Sequence, residues 1–114
     1  MSADGVEATI RRAIGGDVDA ATWIVEQAEV SRDARVVSLA ALLQRRAAIL
    51  DRAATVAGTS RDRQLVAIAR AHLDGDRELV DALARDHLVD HPGSLIVAWL
   101  ASDDVAGGPS PTAP

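Results

Sequence analysis

Residues 32–57, RDARVVSLAALLQRRAAILDRAATVA, contain neither glycine nor proline, and this unbroken run constrains the fold more than any other feature of the chain. Val36, Val37, Ala40, Leu43, Ala47, Leu50, Ala54 and Ala57 recur at three- and four-residue intervals and so share one helical face. Leu39, Leu42 and Ile49 widen that face until only a strip near Ser38, Arg45, Arg46 and Arg52 is left for water. A helix so covered in apolar side chains must be packed from more than one side. The expectation is one long central helix, the spine of a small all-α bundle, with shorter helices as its cover.

Those shorter helices are marked by their punctuation. Asp4 and Glu7 form a capping-box-like start to a helix whose stripe is Val6, Ile10, Ala13 and Ile14, and Gly15 and Gly16 end it. Asp17 is placed to cap the next helix, with Ala20, Ala21, Ile24, Val25 and Ala28 facing inward and Trp23 at the edge. Beyond the spine, Gly58 is expected to supply a left-handed turn and Ser60 a cap. A helix over 61–73 follows, then a turn at Gly75 and Asp76, then a helix over 77–90 in which Leu79, Val80, Leu83, Ala84, His87 and Leu88 point inward and Asp81 pairs with Arg85. Pro92 and Gly93 stop that helix. The run LIVAWLA after Ser94 reads as a last short helix, since no other segment offers a strand partner.

At 114 residues the chain is large enough to bury one core without disulfides or metal. A single domain is expected over 1–102, followed by a Gly/Pro-rich tail over 103–114 that buries too little apolar surface to order itself. Hydrophobic residues make up 48% but aromatics only 2%, so Ala, Leu, Val and Ile must build the core, and the first two lead the helix-propensity scale. All twelve basic residues are Arg, a usage expected of a GC-rich bacterial genome, and the net charge is -5. That balance disfavours nucleic acid as a partner. There is no Cys. With no basic-then-apolar leader and no run of about 18 to 20 apolar residues, the expectation is a cytoplasmic protein without a membrane span.

The two hairpins share a phrase, GDVDAATWIVEQA from Gly16 and GDRELVDALARDH from Gly75, whose starting positions differ by 75 − 16 = 59. Two readings fit: a duplication, or the generic look of any hairpin turned by Gly-Asp. The second hairpin also carries Pro92 seventeen positions after Gly75, within DHLVDHP. In Gly75, Asp76, Leu88 and Pro92 the stretch 61–94 resembles one tetratricopeptide-repeat unit. It departs from the family at Gln64, Ala67, Ile68 and Ala71, and at Val80, Ala84 and His87. The resemblance implies a non-enzymatic scaffold of stacked helix pairs that binds protein partners. Its groove positions would fall on Asp62, Leu65, Ala69, His72 and Leu73, and in the first hairpin on Ala3, Val6, Ile10, Ala13 and Ile14. Residues 35–60 are too short and unbroken to form a normal repeat of that family.

Chemistry in the side chains is sparse. His72, His87 and His91 lie within twenty residues, and a helical-bundle enzyme or a metal- or ligand-binding protein with a site there is the alternative class. His87 and His91 are one turn apart, but His72 is offset from His87 by about 12 Å along an antiparallel hairpin. No metal or cofactor is therefore expected. Ser31, Ser38, Ser60, Ser94 and Ser102 sit at capping or surface positions, and the pairs Asp74 with Asp76 and Asp103 with Asp104 sit in turns or the tail. Neither Gly15-Gly16 nor Gly107-Gly108 follows a strand, as phosphate-binding glycine motifs require.

The apolar faces outnumber what so small a chain can cover, which points to a homodimer or to a protein partner that lends an apolar helix. The expected contact residues are Leu65, Ala69, His72 and Leu73, together with Leu95, Ile96, Trp99 and Leu100 from the last helix. A desolvated Trp is the natural anchor of such a contact.

Overall fold

The computed structural model of the protein describes residues 3–102, with side chains from residue 5 onward. The tail over 103–114, its Asp103–Asp104 and Gly107–Gly108 pairs, and the Asp4 side chain expected to cap the first helix lie outside the described residues. Among the described residues there are seven helices and no strand: α1 (Ala3–Ile14), α2 (Val18–Gln27), α3 (Ala34–Gln44), α4 (Ala47–Val56), α5 (Ser60–Leu73), α6 (Arg77–Asp90) and α7 (Leu95–Ala101).

The long central helix does not exist as one piece. The chain breaks at Arg45, which takes a left-handed conformation at φ 52°, and α4 starts two residues later in a new direction. The N–H of Arg46 reaches back to the Ala41 carbonyl at 2.9 Å, the bond that closes a helix ending in a left-handed residue. The same closure occurs at Gly16 (φ 103°), where Asp17 N–H donates to the Arg12 carbonyl, and at Gly75 (φ 79°), where Asp76 N–H donates to the Ala71 carbonyl. The spine is thus a third hairpin. Left-handed turns fall at positions 16, 45 and 75, at near-equal intervals of 45 − 16 = 29 and 75 − 45 = 30. The offset between the two Gly-Asp phrases spans two such intervals.

Three hairpins follow one another, α1–α2, α3–α4 and α5–α6, and α7 completes the stack. Each helix packs on its successor, as in a helical-repeat protein. The odd-numbered helices also touch in succession, α1 on α3, α3 on α5 and α5 on α7, and α7 returns to α1. They enclose the core, and α2, α4 and α6 lie outside them.

This arrangement explains why α3 is so apolar. Ala34 and every residue from Val36 to Leu42 are buried, including Ser38, which was expected to face water. With α2, α4, α5 and α1 all packed on it, α3 has no solvent strip. α4 has an ordinary two-sided character, burying only Leu50 and Ala53. Trp23 and Trp99 pack half-buried against the edge of the core.

Local chemistry fixes most of the helix starts. Asp17, Asp33, Thr59 and Asp76 accept from the backbone N–H groups of Ala20, Arg35, Asp62 and Leu79 at 2.9–3.1 Å. Some expectations shift. Thr59, not Ser60, caps α5, and the chain leaves α4 extended at Ala57 with no left-handed residue at Gly58. Asp81 pairs with Arg77 at 3.1 Å rather than with Arg85. Leu79 is 43% exposed, because the inward stripe of α6 is the narrower set Val80, Ala84 and His87.

Candidate functional site

The most structured polar group of the molecule is built around His87. Its residue is buried, 2% exposed, on the inward face of α6. Nδ1 lies 2.7 Å from Oε1 of Gln64 on α5, and Nε2 lies 3.1 Å from Oγ of Ser94, just before α7. The amide oxygen of Gln64 can only accept, so Nδ1 carries the proton and Nε2 accepts from the Ser94 hydroxyl. The ring thereby ties three helices together. Ser94, expected to cap α7, stands at the N-cap position but makes no cap bond, because its hydroxyl is engaged by His87.

Burial pushes the imidazole pKa below the ordinary histidine value, and the neighbouring His91 and Arg61 push it in the same direction, with Asp90 opposing them. The ring centroids of His87 and His91 are 4.9 Å apart. His72, grouped with them only in the alternative reading of the sequence, is half-buried on α5, its pKa lowered by burial and by Arg45 and Arg77. Among the described residues no group of three His, Cys, Asp or Glu side chains is placed to hold a metal, and both nitrogens of His87 are already bonded within the protein.

Two openings meet at His87. On the Ser94 side, a cavity of about 30 Å³ lies where the N-terminal ends of α3, α5 and α7 come together beside Glu7 and Ile10 of α1. Arg35, Arg61 and Asp62 rim it. Arg35 is already held by Asp33, with contacts at 2.7 and 3.0 Å. Burial raises the Asp33 carboxyl, but the Arg35 side chain and backbone N–H outweigh it and leave the pKa below the ordinary carboxylate value. A space of this size suits a water molecule rather than a ligand.

On the Gln64 side, a groove of about 230 Å³ runs along the seam between α5 and α6. Gln64, Ala67 and Ile68 form one wall, Leu83, Asp86 and Asp90 the other, with His87 below. Leu79, one turn before Leu83, continues that apolar edge toward the Gly75 turn.

The structure distributes the eight expected contact residues unevenly. Leu65, Ala69, Ile96 and Leu100 are at most 4% exposed and belong to the chain's own core. His72, Leu73, Leu95 and Trp99 are half-buried and keep one edge at the surface. α7 packs on α1, α5 and α6 and covers part of the faces of α1 and α5, while α1, α2, α4 and α5 surround α3. In the first hairpin, Ile10 and Ala13 are likewise buried.

The α5–α6 groove is the feature that reading along the chain misses, although a signal for it exists. Gln64 precedes Gly75 by eleven residues and His87 follows Asp76 by eleven, so an antiparallel hairpin turned there sets the two opposite each other. No helix among the described residues is long and apolar enough to cross a membrane. No family model, curated protein or solved structure matches the chain.

Proposed function

We propose that the chain is a non-enzymatic protein-interaction module of the helical-repeat type, similar to the tetratricopeptide family, and that a segment of a partner protein docks in the seam between α5 and α6. The observation that carries this reading is the groove itself. Its walls pair apolar side chains, Ala67, Ile68 and Leu83, with the polar groups of Gln64, Asp86 and Asp90. At about 230 Å³ it falls below the roughly 300–1,000 Å³ typical of small-molecule sites and suits one or two anchoring side chains. The interval between successive left-handed turns is a few positions shorter than the repeat of the tetratricopeptide family, so the likeness supports the scaffold rather than a ligand.

The groove differs from the concave surface that such scaffolds ordinarily offer. Here the inner helices enclose a filled core, and recognition moves to the outside of the last hairpin. A photo-crosslinking residue in place of Ala67 is expected to capture a discrete partner that the same residue in place of the exposed Thr22 on α2 does not. Leu83→Glu should abolish the adduct while leaving the fold intact. Equal labelling from both positions would overturn the reading. A second copy of the chain is the other occupant, reached through the surface edges of Leu95 and Trp99. Sedimentation equilibrium separates the two, because only self-association makes the mass depend on concentration.

A further inference from the structure

We infer that the anchor the α5–α6 groove receives is a cationic side chain on an apolar stem, an arginine or lysine of the partner, rather than an aliphatic residue. This rests on the interaction reading above and names the chemistry of what docks.

Asp86 and Asp90 stand one turn apart on the same wall of the groove, and both are exposed. Like charges at that spacing on a helix repel each other. Among the described residues neither carboxylate has an ion-pair or hydrogen-bond partner to offset this, whereas Asp17, Asp33, Asp51 and Asp81 each hold an arginine. Arg61, the nearby cation that acts on His87, lines the opposite opening beside Ser94. The pair therefore presents two free carboxylates to whatever enters.

The rest of the groove selects the stem. Ala67 and Leu83 offer apolar surface beside the carboxylates, while Gln64 is already engaged, its Oε1 accepting from His87 and its amide nitrogen donating to Ser60 Oγ at 3.4 Å. A side chain that lays its methylenes on Ala67 and Leu83 brings its charged head toward Asp86 and Asp90. Arginine and lysine are the residues that combine such a stem with such a head. Guanidinium has the better fit to carboxylates because its planar fork donates to two oxygens at once. An aliphatic anchor would fill the same floor but would desolvate both carboxylates without a partner. The net charge of -5 draws a basic segment toward the protein before contact is made.

The test uses n-butylguanidinium chloride as probe, with guanidinium chloride as the head without the stem and n-pentanol as the stem without the head. Each is titrated into the full chain at low ionic strength, and amide shifts are followed by NMR. Butylguanidinium is expected to shift the amides of Ala67, Ile68, Leu83, Asp86 and Asp90 saturably, with a dissociation constant in the millimolar range. The double substitution Asp86→Asn and Asp90→Asn should weaken that constant by about threefold to tenfold, as the loss of surface charge pairs does. It touches two exposed helix positions, and an unchanged melting profile verifies the fold. If n-pentanol saturates the groove as well as butylguanidinium and the Asn variant binds both equally, the cation assignment is overturned while the docking groove stands. If guanidinium alone reproduces the shifts, the contact is bulk charge and the stem is wrong. If no probe produces a saturable shift in these amides, the groove is not a docking site and both readings fall.

Discussion

Arg52 on α4 closes the C-terminal end of α2: its Nε donates to the Ala28 carbonyl at 2.8 Å and a terminal nitrogen donates to the Ser31 carbonyl at 2.7 Å. Carbonyls at a helix end have no partner within the helix, and the guanidinium satisfies the one at the Ala28 C-cap and a second in the α2–α3 connection while placing positive charge near the negative end of the dipole. Arg77 on α6 does the same for α7, reaching the carbonyls of Leu100 and Ala101 at 2.9 and 2.7 Å. Arg52→Ala should therefore destabilise the protein by about 2 kcal/mol in urea unfolding, more than an exposed arginine ordinarily would. Arg52→Lys should recover less than half, since an ammonium lacks the planar fork. A loss within about 0.5 kcal/mol for the Ala variant would show that water replaces the guanidinium without penalty.

The middle hairpin is turned by residues ill suited to the task. Arg45 bears the strain of a side chain in the left-handed region, and Arg46 stands at the N-cap of α4 with no side-chain bond to the helix. Its charge also opposes the positive end of the α4 dipole. Copying the neighbouring turns by Arg45→Gly with Arg46→Asp is expected to stabilise the fold by about 1–2 kcal/mol, after allowing for the entropy a glycine adds to the unfolded chain. Thermal melting checks this. A lower melting temperature would mean that the two arginines have favourable interactions in the folded state that their geometry does not reveal.

Ser38 is fully buried in α3, and its hydroxyl has no hydrogen-bond partner. Removing an unpaired buried hydroxyl relieves a desolvation penalty, and alanine is the better helix former. Ser38→Ala should raise stability by about 1 kcal/mol, read as a higher urea midpoint at unchanged slope. A fall of similar size would show that the hydroxyl is satisfied in solution.

His87 and His72 both have pKa values lowered in the fold, chiefly by burial. The unfolded chain, whose histidines titrate near the ordinary value of about 6.5, then binds protons more readily than the folded one, so stability rises with pH across that interval. The histidine contribution is fully present above about pH 6.5 and is lost as pH falls through the lower folded-state values. His87→Gln should flatten that dependence even though it also removes the Ser94 and Gln64 bonds. An unaltered pH slope in the variant would assign the effect elsewhere.

Much of this fold was legible in the sequence, and what was hidden has physical causes. Gly16-Asp17 and Gly75-Asp76 announce two hairpins because glycine tolerates the left-handed turn and aspartate caps the next helix, both visible one residue at a time. Arg45-Arg46 makes the same turn with neither signal, so the run 32–57 reads as one helix; packing of α3 and α4 on their neighbours overrides local preference there. The burial of Ser38 follows from four helices surrounding α3, a fact of topology that no single-helix pattern contains. Leu65, Ala69, Ile96 and Leu100 looked available for a partner because their cover, α7 against α1 and α5, is distant in sequence. The α5–α6 groove was readable by counting outward from Gly75, whereas the Arg52 cap on α2 leaves no trace in spacing.

Contact between α7 and α1 also governs how the molecule comes apart. In an open array each hairpin touches only its neighbours, so the ends fray independently and the middle survives alone. Here α7 holds α1, and neither helix can peel away without breaking a contact that belongs to the other. Hydrogen exchange in α1 and α7 should consequently proceed at one shared rate, set by global opening, and the chain should melt in a single cooperative step rather than hairpin by hairpin.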